Sequence, residues 1–352
     1  MAGLFAAIAS VLFAWAGFGL IFIGLGLFIR HLFGLKIPDA KTVFAAFWTG
    51  WAFAILFLQL WNFQFKVDWR PLVVLTIGSA AGLFSNWDAL KQTIKEHAPP
   101  KGVLCVVVLL MAALLATRAL LPPNLFDSGN YHFTSLRWVA SYPIVPGLGN
   151  LHYRIAFNSS YFLYAAILDI GPWVHRSHHL ANGLLLFILL TELLWSSFKL
   201  RSAVEQPKAL ALFDLLLIVP VLRMALTAFI SSPSPDVAIF VLGVVISRHL
   251  LMLFTNATGS RRETGYALAY ITVLSAIGIA IKLSFLALGS ATSVLALATW
   301  FAGRKVLDLE DKKTLVWMAT VVGLVLVPWM IRGVILSGYI AFPIPLGSFP
   351  VE

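Results

Sequence analysis

From Leu121 to Ser160 the chain reads LPPNLFDSGNYHFTSLRWVASYPIVPGLGNLHYRIAFNSS. Pro122 and Pro123 stop whatever helix precedes them, because proline lacks the backbone donor and its ring clashes with the preceding turn. Asp127 then precedes a helix-like stretch, 131–141, carrying Tyr131, Phe133 and Trp138. Pro143-Ile-Val-Pro-Gly-Leu-Gly149 follows as a turn-rich piece. On both sides of this segment the chain is dominated by long apolar runs. Its other connectors are about 4–18 residues long, mostly ordinary connector lengths. A long loop with its own aromatics and fixed turns is expected to be ordered, packed on a membrane surface and functional.

The rest of the composition explains what the loop interrupts. Of the 352 residues, 60% are hydrophobic and 11% charged, and the mean hydropathy is +0.90. Soluble domains carry about 25% charged residues, so these values exclude a soluble globular enzyme, a disordered chain and a disulfide scaffold. A bilayer span needs about 20 apolar residues. Spans are expected at 4–29, 42–61, 71–86, 103–121, 179–197, 209–227, 235–254, 265–284, 287–302 and 314–331. An eleventh apolar stretch, 156–172, ends at Gly171 and Pro172 and reads as a re-entrant or interfacial segment covered by protein. The expectation is an all-α polytopic membrane helix bundle of about 10–11 spans with one long ordered outer loop. It falls into a four-span segment (1–121), the loop with its short helices (122–178) and a C-terminal bundle (179–352). Residues 1–29 lack a basic n-region and are too long for a signal h-region, so they read as a retained first span. The single Cys105 provides no disulfide framework and no cysteine metal site.

The net charge is +10. In a soluble chain that would suggest nucleic acid; here it reads as orientation. With the N-terminus outside, 15 of the 25 basic residues fall in inner loops, Lys36, Lys101, Lys199, Arg201, Arg304 and Lys305 among them, and seven fall on the outer side. The positive-inside rule therefore places the N-terminus and the loop 122–160 outside. No Walker loop and no dinucleotide fingerprint is present, which argues against soluble nucleotide chemistry.

Several residues could carry chemistry at that outer level. Asp127 could take a proton from a hydroxyl acceptor or hold a metal that binds phosphate; it could equally cap the helix that follows. Arg137 and Arg154 could grip a phosphate bidentately or snorkel to headgroups; His132 and His152 share their loop. His175, His178 and His179 have the spacing of one helix face, which suits interfacial contacts better than a metal site with too few ligands. Lys282 falls in a span near its outer end and is expected to face a cavity or a partner. Asp236 suits the first turn of its helix. Arg223 and Arg332 lie at the outer ends of theirs. Glu192 and Asp214, deeper in, read as helix-packing polar contacts. Asp127, Arg154, Arg223, Asp236, Lys282 and Arg332 are thus expected to converge on one face.

The pattern Asp127…Tyr131-His132…Trp138, then Tyr142-Pro-Ile-Val-Pro-Gly-Leu-Gly-Asn150-Leu-His152-Tyr-Arg154-Ile-Ala-Phe-Asn158-Ser-Ser160, resembles a branch of bacterial multi-span membrane proteins related to the GT-C glycosyltransferases. Ser232-Pro-Ser-Pro-Asp236, Lys282-Leu-Ser284 and Arg332-Gly-Val-Ile-Leu-Ser-Gly338 match further stations, so the resemblance runs from about residue 120 onward. It implies an enzyme of the bacterial inner membrane that moves a sugar from a polyprenyl-phosphate donor to a glycan, lipid or protein acceptor of the cell envelope. Asp127 would be the catalytic base. His132, Arg137, His152, Arg154, Asn158, Arg223, Asp236, Lys282 and Arg332 would bind substrate or phosphate. No metal ligand is assigned, and a divalent metal is compatible as a cofactor. Two features depart from the common pattern: four spans precede the loop instead of one, and the sequence ends at Phe349-Pro-Val-Glu352, where relatives continue with further spans, which suggests a short form or a fragment. The alternatives are a transporter or flippase, or a polymerase or ligase acting on lipid-linked saccharides.

Overall fold

A computed structural model describes residues 2–32, 40–96, 102–198, 208–255, 261–302, 307–345 and 347–351; Lys36, Lys101, Lys199, Arg201, Arg304 and Lys305 lie outside the described residues. The described chain is all-α. Seven of its helices are long and apolar enough to cross a membrane. Large apolar side chains such as Phe13, Leu109, Val219 and Val316 stay exposed on the flanks of the helices. That pattern suits lipid and not water, and the protein is an integral membrane protein.

The first helices are α1 (Ala2–Leu32), α2 (Ala40–Trp61) and α3 (Trp69–Ser85). They approach closely through small residues. A Cβ added at Gly26 would sit 1.8 Å from the Ala46 carbonyl oxygen, and one at Gly50 would sit 1.8 Å from that of Phe22. On another flank of α1, Gly82 meets the Gly24 carbonyl in the same way. Backbone-to-backbone packing of this kind is how helices associate where lipid removes the hydrophobic drive. A short amphipathic helix, α4 (Trp87–Glu96), leads to α5 (Val103–Ala119).

The loop segment holds α6 (Phe133–Ser141), α7 (Leu148–Leu151) and α8 (Tyr161–Ile167). Every residue of α8 is buried, and seven residues span only about 10 Å. The expected protein-covered segment is therefore a short helix plugged into the bundle. Its Tyr164 packs edge-on against Trp51, and Trp48 and Phe47 continue the aromatic cluster.

The C-terminal helices are α9 (His178–Phe198), α10 (Lys208–Ala225), α11 (Pro235–Thr255), α12 (Arg261–Ile281), α13 (Leu286–Ala302) and α14 (Leu309–Ser337). The helix α14 is longer than the span 314–331 read from sequence. It starts earlier because Asp308 and Asp311 form a reciprocal capping box, and it runs through Pro328 to Gly338, which closes it in the left-handed conformation at φ 75°. The helices α3, α5 and α10, at 17, 17 and 18 residues, match three further expected spans. The first two are short, and α10 carries Lys208, Asp214 and Arg223. One continuous core joins residues from the first helices, the loop and the C-terminal bundle, Phe22, Tyr161 and Leu242 among them.

Candidate functional site

The segment after α5 rises through Pro122 and Pro123 and enters a helical turn at Phe126. A π-helical turn, Ser128–His132, follows before α6; such turns concentrate at functional sites. Asp127 has helical torsions, φ −67° and ψ −21°, and its side chain caps nothing. The capping role it could have played is not realised. Its carboxylate instead forms an ion pair with Arg154.

Arg154 is aimed by its own surroundings. The His152 Nδ1 accepts from the Arg154 backbone N–H at 3.3 Å, starting the 3-10 turn Tyr153–Phe157. The guanidinium donates from Nε to the Tyr153 hydroxyl at 3.0 Å and lies 5.6 Å from the ring of Tyr131. The hydrogen bond to Tyr153 raises the Arg154 pKa above its ordinary value, and Asp127 adds to this.

A second ion pair joins Asp236 and Lys282. Asp236 is in the first turn of α11, after Pro235, and receives a hydrogen bond from the Ser234 hydroxyl at 3.1 Å. Lys282 is not inside a helix. It directly follows α12 in extended backbone, φ −152°. The loop fixes that end: the Ser159 hydroxyl donates to the Ile281 carbonyl at 2.7 Å, and the Ser160 N–H donates to that of Ala280 at 3.0 Å.

The two pairs share a field. Burial and then the charges of Asp127 and Asp236 push the Tyr131 hydroxyl up to about 12. Burial lowers His132 to about 4, with Lys282 and Arg154 adding to the effect and both carboxylates opposing it. Tyr131 and His132, buried beneath, therefore feel both ion pairs at once. The four charged side chains are between a quarter and a half exposed. They form a neutral cluster that is open above, with two carboxylates able to accept protons and two cations able to meet an anion.

An anchoring network ties these segments together. Asn182 of α9 donates to the carbonyls of Phe229, Ser232 and Ser234 at 3.0, 2.7 and 3.1 Å, and it accepts from the Tyr161 hydroxyl at 2.7 Å. The hydroxyls of Ser128 and Ser232 meet. The π-turn beside Asp127 is thereby fastened to the loop that leads into α11 and Asp236. Neither Asn182 nor Tyr161 stood out in the sequence, although an amide inside an apolar span is itself a signal.

The remaining expected residues are placed elsewhere. Arg137 is exposed on α6 and Arg223 is exposed on the last turn of α10; neither shares a hydrogen bond or ion pair with the cluster. Arg332 and Asn158 are buried beside a separate cavity. Of the six charges expected on one face, the ion pairs join four; Arg332 is buried in the bundle and Arg223 stays exposed on its own helix. His175 sits before α9 at φ 63°, so the three histidines do not share one helix face. His178 instead packs on Phe133, and the His179 Nδ1 lies 2.6 Å from the Ala119 carbonyl. Among the described residues no group of three His, Cys, Asp or Glu is arranged to hold a metal ion.

Deeper in the bundle, Arg248 of α11 pairs with Glu192 of α9 at 2.7 Å and Asp214 of α10 at 2.8 Å. The Trp48 Nε1 donates to Glu192 at 3.0 Å, and the Ser196 hydroxyl donates to Asp214. Glu192 and Asp214 are packing contacts between helices, as their depth suggested.

A model of a protein family, described as a domain of unknown function (DUF8201), matches residues 8–352. No curated protein and no solved structure matches the chain.

Proposed function

Since the chain belongs to the DUF8201 family, we propose a function from its own geometry: it is a membrane glycosyltransferase acting on a polyprenyl-phosphate-linked sugar at the outer face of a bacterial inner membrane. The observation that carries the reading is the pair of half-exposed ion pairs, Asp127–Arg154 and Asp236–Lys282, drawn from four separate segments onto one rim. The resemblance to GT-C enzymes from about residue 120 onward and the basic-residue bias of the loops support it.

The chemistry proceeds by exchange of partners. A donor phosphate takes Arg154 and Lys282 away from their carboxylates, and Asp127 is freed as a base. The acceptor hydroxyl gives its proton to Asp127 as its oxygen bonds to the anomeric carbon. The bond from that carbon to the phosphate oxygen breaks, and its electrons leave with the lipid phosphate. The two cations hold the charge that develops there. Tyr131 and His132 stay uncharged beneath and exclude water.

The test uses the purified protein in proteoliposomes with a panel of polyprenyl-phosphate sugars and extracted envelope acceptors. Asp127→Asn is expected to reduce transfer by about 10²–10⁴-fold, the usual weight of a general base, with an unchanged melting midpoint. Full activity in that variant would remove Asp127 from the reaction. Movement of labelled donor across sealed vesicles with no glycosidic bond made would replace the enzyme with a transporter.

A further inference from the structure

A second site lies behind the loop, independent of the ion-pair rim. A cavity of about 40 Å³ sits under the turn at Pro143, Ile144 and Val145, with Arg332, Asn158 and Ser135 in its wall. Arg332 is only 4% exposed. Its Nη1 donates to the Asn62 Oδ1 at 3.0 Å, and its Nε–H has no partner. Among the described residues no carboxylate forms an ion pair with it. The Ser135 hydroxyl and the Asn158 Oδ1 are also buried and unpartnered. Asn158 is held rigidly, donating to the Trp329 carbonyl and accepting at its own carbonyl from the Trp329 indole at 3.0 Å, with its backbone at φ 50°.

A guanidinium removed from water without a counter-charge costs several kcal/mol, and each buried unpartnered polar atom costs about 1–3 kcal/mol more. Three such groups around one cavity mean that something polar belongs in it. The room decides its size. A water needs about 10–15 Å³ of such space, so about 40 Å³ holds about three water-sized bodies. The chemistry decides its charge: one cationic donor and one hydroxyl donor in its wall are unpartnered, and the unpartnered acceptor there, Asn158 Oδ1, suits a water shared with the ligand. Apolar neighbours, among them Leu148 and Phe162, leave no other charge to compete.

We propose that this cavity binds one small monovalent anion, of chloride's size, seated against the Arg332 Nε–H and the Ser135 hydroxyl together with a water on Asn158. The exposed Pro143 lies at its mouth, while the deep residues are all but closed to solvent. The site pins α14 to the loop that carries Arg154. A lipid-linked sugar phosphate is far too large for it, so the site stands whether or not the transferase reading holds.

The test measures the melting midpoint of the full chain in detergent at constant ionic strength, with chloride exchanged for gluconate. Chloride at about tenfold over its dissociation constant is expected to raise the midpoint by about 2 °C. Arg332→Gln should abolish the response and Ser135→Ala should weaken it at least threefold; the serine variant serves if the arginine variant does not fold. Bromide should give an anomalous peak beside Arg332 in crystals. Equal midpoints in chloride and gluconate, or an undiminished response in the variants, would overturn the site. A response to inorganic phosphate alone would overturn its size and return Arg332 to a phosphate seat.

Discussion

At the residue scale, His132 gives the sharpest pH dependence. Burial holds its imidazole down to about 4, whereas an unfolded histidine titrates near 6.5. Between those values the unfolded chain binds the extra proton, so stability is lost as pH falls through that window. The loss at pH 5 relative to pH 7 is about 2 kcal/mol. His132→Phe is expected to flatten the slope of melting midpoint against pH between 7 and 5. Parallel slopes in the two proteins would mean that the carboxylates, not this ring, dominate. Asp127 and its neighbours were legible in the sequence as chemistry-bearing residues, because charged side chains at the ends of apolar runs are few. Their pairing was not: that Arg154 takes Asp127, and Lys282 takes Asp236, depends on how separate segments meet. Arg332 shows the same limit. A basic residue near a span end can face water or the interior, and one-dimensional spacing does not distinguish the two.

At the scale of elements, spans were legible wherever apolar length exceeded a bilayer's need. Ends set by chemistry were missed: the Asp308–Asp311 box extends α14 by a turn that hydropathy alone assigns to a connector. The π-turn at Ser128–His132 has no pattern of its own. Two predictions belong here. Asn182→Leu leaves three loop carbonyls and the Tyr161 hydroxyl without their partner, and is expected to cost about 3 kcal/mol, read as a lowered melting midpoint. Because the same loop leads into the first turn of α11, which carries Asp236, transfer activity should fall below what the fraction of folded protein explains. The close approach of α1 and α2 gives the other. Gly26→Leu and Gly50→Leu would drive side chains into backbone within 2 Å, and are expected to abolish the monodisperse peak in size-exclusion chromatography. Gly17→Ala, which meets nothing within 4 Å, should elute as the parent does. An intact peak for both leucine variants would mean that these helices can separate.

At the scale of the whole molecule, the loop is not an appended lid. Its α8 is part of the same core as the spans before and after it, so the three segments read from the sequence share one packed interior. The buried triad of Glu192, Asp214 and Arg248 joins three consecutive helices of that interior. Arg248→Met alone leaves two carboxylates uncompensated and is expected to cost about 3–5 kcal/mol, whereas adding Glu192→Gln and Asp214→Asn should recover most of it. Failure of the triple variant to exceed the single one in melting midpoint would argue that the charges do more than hold helices together.

The triad also bears on how the chain enters the bilayer. Each of α9, α10 and α11 carries one of its charges, and a lone charge near a helix centre opposes insertion by about 2.5–3.5 kcal/mol. During synthesis Glu192 and Asp214 emerge before Arg248 exists to neutralise them. The first two helices are therefore expected to linger at the translocon until the third arrives, and the three to partition into lipid as one unit.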